Sequence, residues 1–268
     1  MDIKEKPDNS ENGLIILLGA GPGDPRLITQ AGLDWLAWAD VVVYDRLACP
    51  ELMDHCKPST EFINVGKIPT QHAWQQDQIN QQLVDLCKAG RRVVRLKGGD
   101  PLIFGRGGEE AMALREAGCA YRIVPGLTAA IAAGAMAGIP LTHRGVASSV
   151  TFVTGHEDPT KAEETLDYEA LARMDTLVFY MGVSRLAGNV QRLLDAGRSA
   201  DTPAAIVERA SLPSQRVIEG TLGELPALAE THNVTAPALV IVGKVAALRE
   251  QIDWQGALPL AGQTVLIT

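Results

Sequence analysis

Two glycine-rich stretches and a few charged side chains carry most of the chemistry this chain can do. The longer is Leu96-Lys97-Gly98-Gly99-Asp100-Pro101-Leu102-Ile103-Phe104-Gly105-Arg106-Gly107-Gly108-Glu109-Glu110, which follows the apolar run Val93-Val94-Arg95-Leu96. Glycine lets a ligand approach the main chain and admits positive φ. Loops at the carboxyl ends of strands in α/β sheets are where small molecules bind, so this loop is predicted to floor a ligand site. The shorter stretch, Gly19-Ala20-Gly21-Pro22-Gly23-Asp24-Pro25, approaches a dinucleotide fingerprint but has Asp24 in place of the last glycine. A carboxylate there would repel the pyrophosphate that a helix N-terminus otherwise attracts. Neither stretch carries the lysine–serine pair of a phosphate-cradling loop.

A basic cluster, Arg91, Arg92, Arg95, Lys97 and Arg106, is opposed only by Asp100 within residues 91–106. Arg91 and Arg92 read as solvated charge at a helix-to-strand turn, and Arg106 as the side chain placed to meet an anionic ligand. Glycine-rich loops that disfavour phosphate suit a ligand with base, ribose and ammonium groups and no phosphate. S-adenosylmethionine is one such ligand. On spacing alone, nucleotide binding and a purely structural tight turn stay open.

The elements that must position these loops alternate between strand and helix. Leu14–Leu18 is a short continuous apolar run, as expected of a strand buried on both faces. Asp24 and Pro25 read as N-cap and first residue of a helix whose apolar face is Leu27, Ala31, Trp35 and Trp38; the tryptophans are taken as core anchors. Strands are expected at Val41–Tyr44, Phe62–Val65, Val93–Leu96 and Tyr121–Val124, with helices around Ile79–Cys87 and over 107–117. Residues 129–138 are small all along one helix, so something must pack closely on it. A second unit begins with Ser149–Thr154 and continues through Thr176–Tyr180, a helix over 183–196, and strands near 204–208, 215–219 and 238–242. The short Ser-Leu-Pro-Ser connection between two of these implies an antiparallel pair and a mixed sheet. The expected fold is therefore two α/β domains with mostly parallel or mixed sheets. Residues 1–12 read as a disordered lead-in, 13–138 as the first domain, 139–148 as a linker, 149–250 as the second domain, and 251–268 as a linker and tail.

Composition bounds the function. A length of 268 residues, 46% apolar and 21% charged, fits a globular chain with a sizeable core. No apolar run reaches the ~18 residues of a membrane span, and the polar N-terminus lacks a signal-peptide core; a cytoplasmic location is expected. A net charge of −8 argues against general nucleic-acid binding. Cys49, Cys56, Cys87 and Cys119 form no C-x-x-C pair, so neither a metal site nor a disulfide framework is expected. Cys87 and Cys119 lie in apolar patterns and read as core residues.

Gly19–Pro25, Ala39–Leu47 with its Tyr44-Asp45-Arg46-Leu47, Val65-Gly66-Lys67, Arg95–Glu110, Val124–Ala129 and Gly138–Arg144 form a set of motifs. Together they closely resemble the uroporphyrinogen-III C-methyltransferases of the tetrapyrrole methylase superfamily. The likeness runs from about Gly13 to about Ala247. The resemblance implies transfer of methyl groups from S-adenosylmethionine to C2 and C7 of uroporphyrinogen III, giving precorrin-2 and S-adenosylhomocysteine. Precorrin-2 is the branch point toward sirohaem, cobalamin-type corrinoids and haem d1. It also implies a cofactor held in an interdomain cleft, and a homodimer. The eight carboxylates of that substrate would account for arginine and lysine beside the 96–110 loop.

Matched by position, the resemblance assigns the cofactor to Pro22, Gly98, Gly99, Asp100, Ile103, Thr128, Ala129, Met181 and Ala210, the last where many relatives have glycine. It assigns acid–base roles to Asp45 and Lys67 and a substrate-facing role to Arg106. Read without the resemblance, Asp45 caps a turn and Lys67 is surface charge. Leu260–Thr268 resembles the opening strand of uroporphyrinogen-III synthase, so a fused or associated synthase module is expected. The alternatives are a relative acting on a later corrin precursor or on ribosomal RNA, and a non-catalytic tetrapyrrole- or nucleotide-binding module. The acidic net charge and the complete 98–110 loop disfavour RNA; intact Asp45, Lys67 and Arg106 disfavour a decayed site.

Overall fold

The computed structural model describes residues 13–66, 74–155 and 166–259, with Ala261 and Gln263. The chain divides into two compact units between Thr128 and Ala129. The first carries β1 (Leu14–Gly19), α1 (Gln30–Trp38), β2 (Val41–Tyr44), β3 (Glu61–Asn64), α2 (Gln76–Lys88), β4 (Arg92–Lys97), α3 (Gly107–Glu116) and β5 (Ala120–Val124). Its sheet has the order β3-β2-β4-β1-β5, and every pairing is parallel. Leu14, Ile16, Leu18, Val42, Val94 and Leu96 bury one face against α1 and the 3-10 turn Pro50–His55. Ile15, Leu17, Val41, Val43 and Val93 bury the other against α2 and α3. Burial on both faces explains why β1 reads as an unbroken apolar run. Adjacent strands β1 and β4 thus send their connections to opposite faces, which opens a crevice at their carboxyl ends.

One local expectation changes. Asp24 caps only a 3-10 turn, Pro25–Leu27. Ile28 is extended (φ −70°, ψ 151°), and α1 starts afresh at Gln30, where Thr29 Oγ1 accepts the Gly32 N–H at 3.1 Å. Trp35 is buried and meets Trp38 edge to face at 5.0 Å, so both are core anchors. Cys87 and Cys119 are buried, and all four cysteines are free.

The second unit carries α4 (Ala129–Ala137), β6 (Val150–Thr154), α5 (Tyr168–Ala172), β7 (Thr176–Tyr180), α6 (Leu186–Asp195), β8 (Pro203–Glu208), β9 (Arg216–Thr221), α7 (Leu225–Thr231) and β10 (Ala238–Val242). Its sheet order is β6-β7-β10-β8-β9. β6 and β7 are parallel, while β10 runs antiparallel to β7 and β8, and β8 to β9. The mixed sheet expected from the close pair at 204–208 and 215–219 is present. The small-residue helix packs here: Ala130, Ala133 and Ala137 lie against Val178, Tyr180, Ala205, Val207 and Ile241. Alanine lets a helix axis approach a sheet closely, so α4 groups with the second unit, earlier in the chain than the linker expected at 139–148. The lead-in at 1–12, Lys67 and, apart from Ala261 and Gln263, the stretch 260–268 expected to open a synthase module lie outside the described residues.

Candidate active site

At the carboxyl edge of the first sheet, the loops after β1, β4 and β5 are knit backbone to backbone. Gly21 and Gly99 exchange hydrogen bonds, Gly21 N to Gly99 O at 3.2 Å and Gly99 N to Gly21 O at 2.7 Å. Both glycines take positive φ, 79° and 68°, where a Cβ would be strained. A Cβ on Gly126 would stand 2.1 Å from Gly99 O, and one on Gly19 would stand 2.5 Å from Gly126 Cα. The glycines therefore serve close packing of three loops, and main-chain groups line the edge where a ligand would lie.

Asp100 ties the knot together. Its Oδ1 accepts the Leu102 N–H at 2.8 Å and its Oδ2 the Gly126 N–H at 3.0 Å. The Asp24 carboxylate is likewise engaged locally, by the Arg26 backbone N–H at 2.9 Å and the guanidinium at 2.6 Å. The Arg26 side chain holds Asp24 below its ordinary carboxylate range. Charge repulsion of a phosphate at Asp24 is therefore offset by Arg26, contrary to the expectation that Asp24 bars phosphate from this loop.

The loop after β4 continues through Ile103, partly exposed beside Leu102 and Phe104. Gly107 N donates to Pro101 O at 2.9 Å and closes the loop. Phe104 (φ 52°) and Arg106 (φ 58°) are non-glycine residues in the left-handed region, a conformation that the surroundings must enforce and that gathers at functional sites. Arg106 aims Nε and Nη2 at Glu109, at 2.8 and 2.6 Å. Glu109 raises the Arg106 guanidinium above its ordinary value. The pair is half exposed, worth about 0–1 kcal/mol, so an anionic ligand can replace Glu109 at little cost.

Asp45 follows β2, and Leu47 beyond it lies against Gly98. Its Oδ1 accepts the Leu47 N–H at 3.0 Å, and Oδ2 lies 3.7 Å from Arg95 Nη2. Asp45 thus does cap its turn, while its side chain stays partly exposed. The first unit brings Pro22, Asp45, Gly98, Gly99, Asp100, Ile103 and Arg106 to one sheet edge, with Thr128 buried at the end of the loop after β5.

Arg95 and Lys97 correct the sequence reading. They do not stand beside the loop as ligand-facing cations: each is only 3% exposed, and both bond the wholly buried Glu110. They alternate along β4, so both point to the α2/α3 side. The missed partner had a signal, an acid at 110 one turn before Leu114 on the apolar stripe of a helix. Arg91 and Arg92, expected as solvated charge, are instead partly buried and paired with Glu61 and Asp40.

The remaining assigned residues belong to the second unit. Met181 follows β7 with φ 54° and an exposed side chain. Tyr180 Oη accepts the Ala130 N–H at 3.0 Å, fixing the first turn of α4 beside Ala129. Ala210 lies between Arg209 (φ 49°) and Ser211 (φ 71°) and does not itself take positive φ. Alanine in place of glycine is therefore unstrained at 210.

Known proteins share this architecture. The family model for Tetrapyrrole (Corrin/Porphyrin) Methylases matches residues 14–226. A sirohaem synthase of Pseudomonas fluorescens (strain Pf0-1) is 52% identical over 242 residues, covering 90% of this chain and 52% of the relative. The chain thus spans about half the length of the curated relatives it matches. The crystal structure of uroporphyrin-III C-methyltransferase from Thermus thermophilus, complexed with S-adenosylhomocysteine, superposes with a TM-score of 0.76 at 40% identity. It covers 88% of this chain and 100% of that one. A cobalt precorrin-4 methyltransferase structure gives a TM-score of 0.77 at 28% identity, covering 87% and 95%.

Proposed function

Because the chain belongs to the tetrapyrrole (corrin/porphyrin) methylases, we propose that it methylates uroporphyrinogen III at C2 and C7 with S-adenosylmethionine, giving precorrin-2 and S-adenosylhomocysteine. The observation that carries this is the triple-loop knot at the carboxyl edge of the first sheet, with Asp45 and Arg106 at the same edge. A knot built from glycines, which leaves a ligand room to approach the main chain, suits a ligand bearing ammonium, ribose and base groups.

S-adenosylmethionine supplies an electrophilic sulfonium methyl group. Main-chain groups of Pro22, Gly98, Gly99 and Asp100, with the Ile103 side chain and Thr128, are assigned to hold it in the first unit. Ala129, Met181 and Ala210 of the second unit are assigned to the same ligand. The acceptor is an electron-rich pyrrole carbon, so alignment contributes more than a strong base; holding both reactants near the attack geometry supplies up to roughly 7–11 kcal/mol. Each ring turns cationic as its carbon is methylated and must later shed a proton. Asp45, a partly exposed carboxylate oriented by its own turn, is assigned to stabilise that charge or take the proton. Lys67 shares the acid–base role in this proposal. Arg106 is assigned to anchor a substrate carboxylate, in exchange for or beside Glu109.

A homodimer and an associated or fused uroporphyrinogen-III synthase belong to the proposal too, the latter resting on the resemblance of Leu260–Thr268. So does a cytoplasmic location; among the described residues no helix is long and apolar enough to cross a membrane. The purified chain, given uroporphyrinogen III and S-adenosylmethionine without oxygen, is expected to yield a dimethylated product and two equivalents of S-adenosylhomocysteine by mass spectrometry. Binding of S-adenosylhomocysteine with no methylation of this acceptor would overturn the substrate assignment.

A further inference from the structure

Behind the loop knot, the first unit buries charges that methyl transfer does not touch. Arg95 and Lys97 share a face of β4, and Glu110 in the first turn of α3 answers both. Glu110 Oε1 accepts from Lys97 Nζ at 2.7 Å, Arg95 Nε at 3.1 Å and Gln76 Nε2 at 3.2 Å. Its Oε2 is buried without a donor among the described residues. Burial, and then the neighbouring Arg95 charge, hold Lys97 below its ordinary lysine range.

Burying ions costs several kcal/mol each before pairing, and apolar residues of similar volume often do as well or better. Joining α3 to β4 would need at most one pair. Here two cations meet one carboxylate, which leaves a surplus positive charge. Among the described residues, the ion pair that carries this surplus toward the sheet edge is Arg95 Nη2 with Asp45 Oδ2, 3.7 Å apart. The rest of the guanidinium is fixed, with Nε on Glu110 and Nη1 on the carbonyls of Leu96 at 3.2 Å and Val43 at 3.4 Å. Of the four charged groups, Asp45 alone has an appreciably exposed side chain, 29% against 4% or less.

We propose, on the premise that Asp45 is the acid–base group assigned above, that Arg95 is a positioning residue for it. Glu110 locks Arg95 from behind, and Arg95 holds the Asp45 carboxylate in the orientation that the reaction uses. Lys97 gives Glu110 its second cation and keeps it drawn to β4, so the buried group reaches the Asp45 carboxylate through Arg95.

A double-mutant cycle on the full chain tests this. Arg95→Lys keeps the charge but loses the planar fork that meets several acceptors at once. With folding checked by circular dichroism, R95K is expected to lower kcat by about tenfold to a hundredfold, the scale of a misplaced reacting group. KM for uroporphyrinogen III and the affinity for S-adenosylhomocysteine should stay within about twofold. In an Asp45→Asn background the R95K loss should vanish, because the group that it positions is gone. An unchanged kcat in R95K, or the same loss with and without D45N, overturns the proposal. Full turnover in D45N alone shows instead that the acid–base assignment of Asp45 fails, and the premise with it. Should R95K not fold, Glu110→Gln, which keeps an acceptor and removes the charge, enters the same cycle. A kcat loss abolished by D45N then supports the proposal, and one independent of D45N sinks it.

Discussion

Asp45 has two hydrogen-bonding oxygens and gives each a different task. One closes its own turn through Leu47 N, the other faces Arg95. Asp45→Asn keeps the turn acceptor and loses the charge, so it should lower turnover by about 10²–10⁴-fold if Asp45 handles the proton. Calorimetry should show S-adenosylhomocysteine binding to D45N unchanged; an equal loss of that affinity would mark Asp45 as structural. Arg106 is different, because an exposed partner of low value already occupies it. Arg106→Ala is expected to raise the KM for uroporphyrinogen III with little loss of fold stability. An unchanged rate at limiting substrate would show that Arg106 is not an anchor.

Among the elements, the loops after β1, β4 and β5 behave as one object because no side chain separates them. Gly126→Ala would put a methyl carbon 2.1 Å from Gly99 O, and backbone must shift to admit it. Overpacking of this kind costs roughly 1–3 kcal/mol, and the displaced main chain should also weaken S-adenosylhomocysteine. Thermal melts with and without that ligand would show a lowered Tm and a reduced ligand-induced rise; a normal rise would detach the knot from binding. At the other end of the sheet, Arg92 at the start of β4 binds Asp40 just before β2, Nε to Oδ2 at 2.8 Å. The Arg92 guanidinium holds Asp40 below its ordinary 3.8. A carboxylate lowered on folding contributes stability above its unfolded value and loses it as pH falls through the folded one. Wild type should therefore exceed Asp40→Asn in denaturant stability at neutral pH, with the gap closing below about pH 3.8. A gap constant down to strong acid would show that the pair contributes no pH-dependent stability.

For the whole molecule, the first unit is built on a parallel sheet and the second on a mixed one. The helix 129–137 packs with the second, through alanines on Val178, Ala205 and Ile241. The curated relatives are about twice as long as the segment matched, so independence of this chain is a property to measure. It is expected to methylate uroporphyrinogen III without any added module, and light scattering should give the mass of a homodimer. Turnover that requires a second polypeptide, or a monomer at assay concentrations with full activity, would contradict one or other expectation.

The class of fold, the strand-ending loops and the family were legible in the order of residues alone. Glycine spacing, continuous apolar runs and the Tyr44–Leu47 and Gly98–Glu110 segments are local signals, readable without knowing what lies opposite. The antiparallel pair at 204–208 and 215–219 was legible for the same reason, since a short turn leaves no other pairing. Tertiary structure alone decided where charge goes. Arg95 and Lys97, the arginine and lysine beside the loop that the resemblance set against the substrate's carboxylates, are neutralised instead by Glu110 from a helix that packs across the sheet. Asp24 looked like a bar to phosphate until Arg26 folded back on it. Pairing energies depend on distance and burial, and neither is written in the order of residues. The same holds for α4, whose small side chains announced close packing without saying against which sheet.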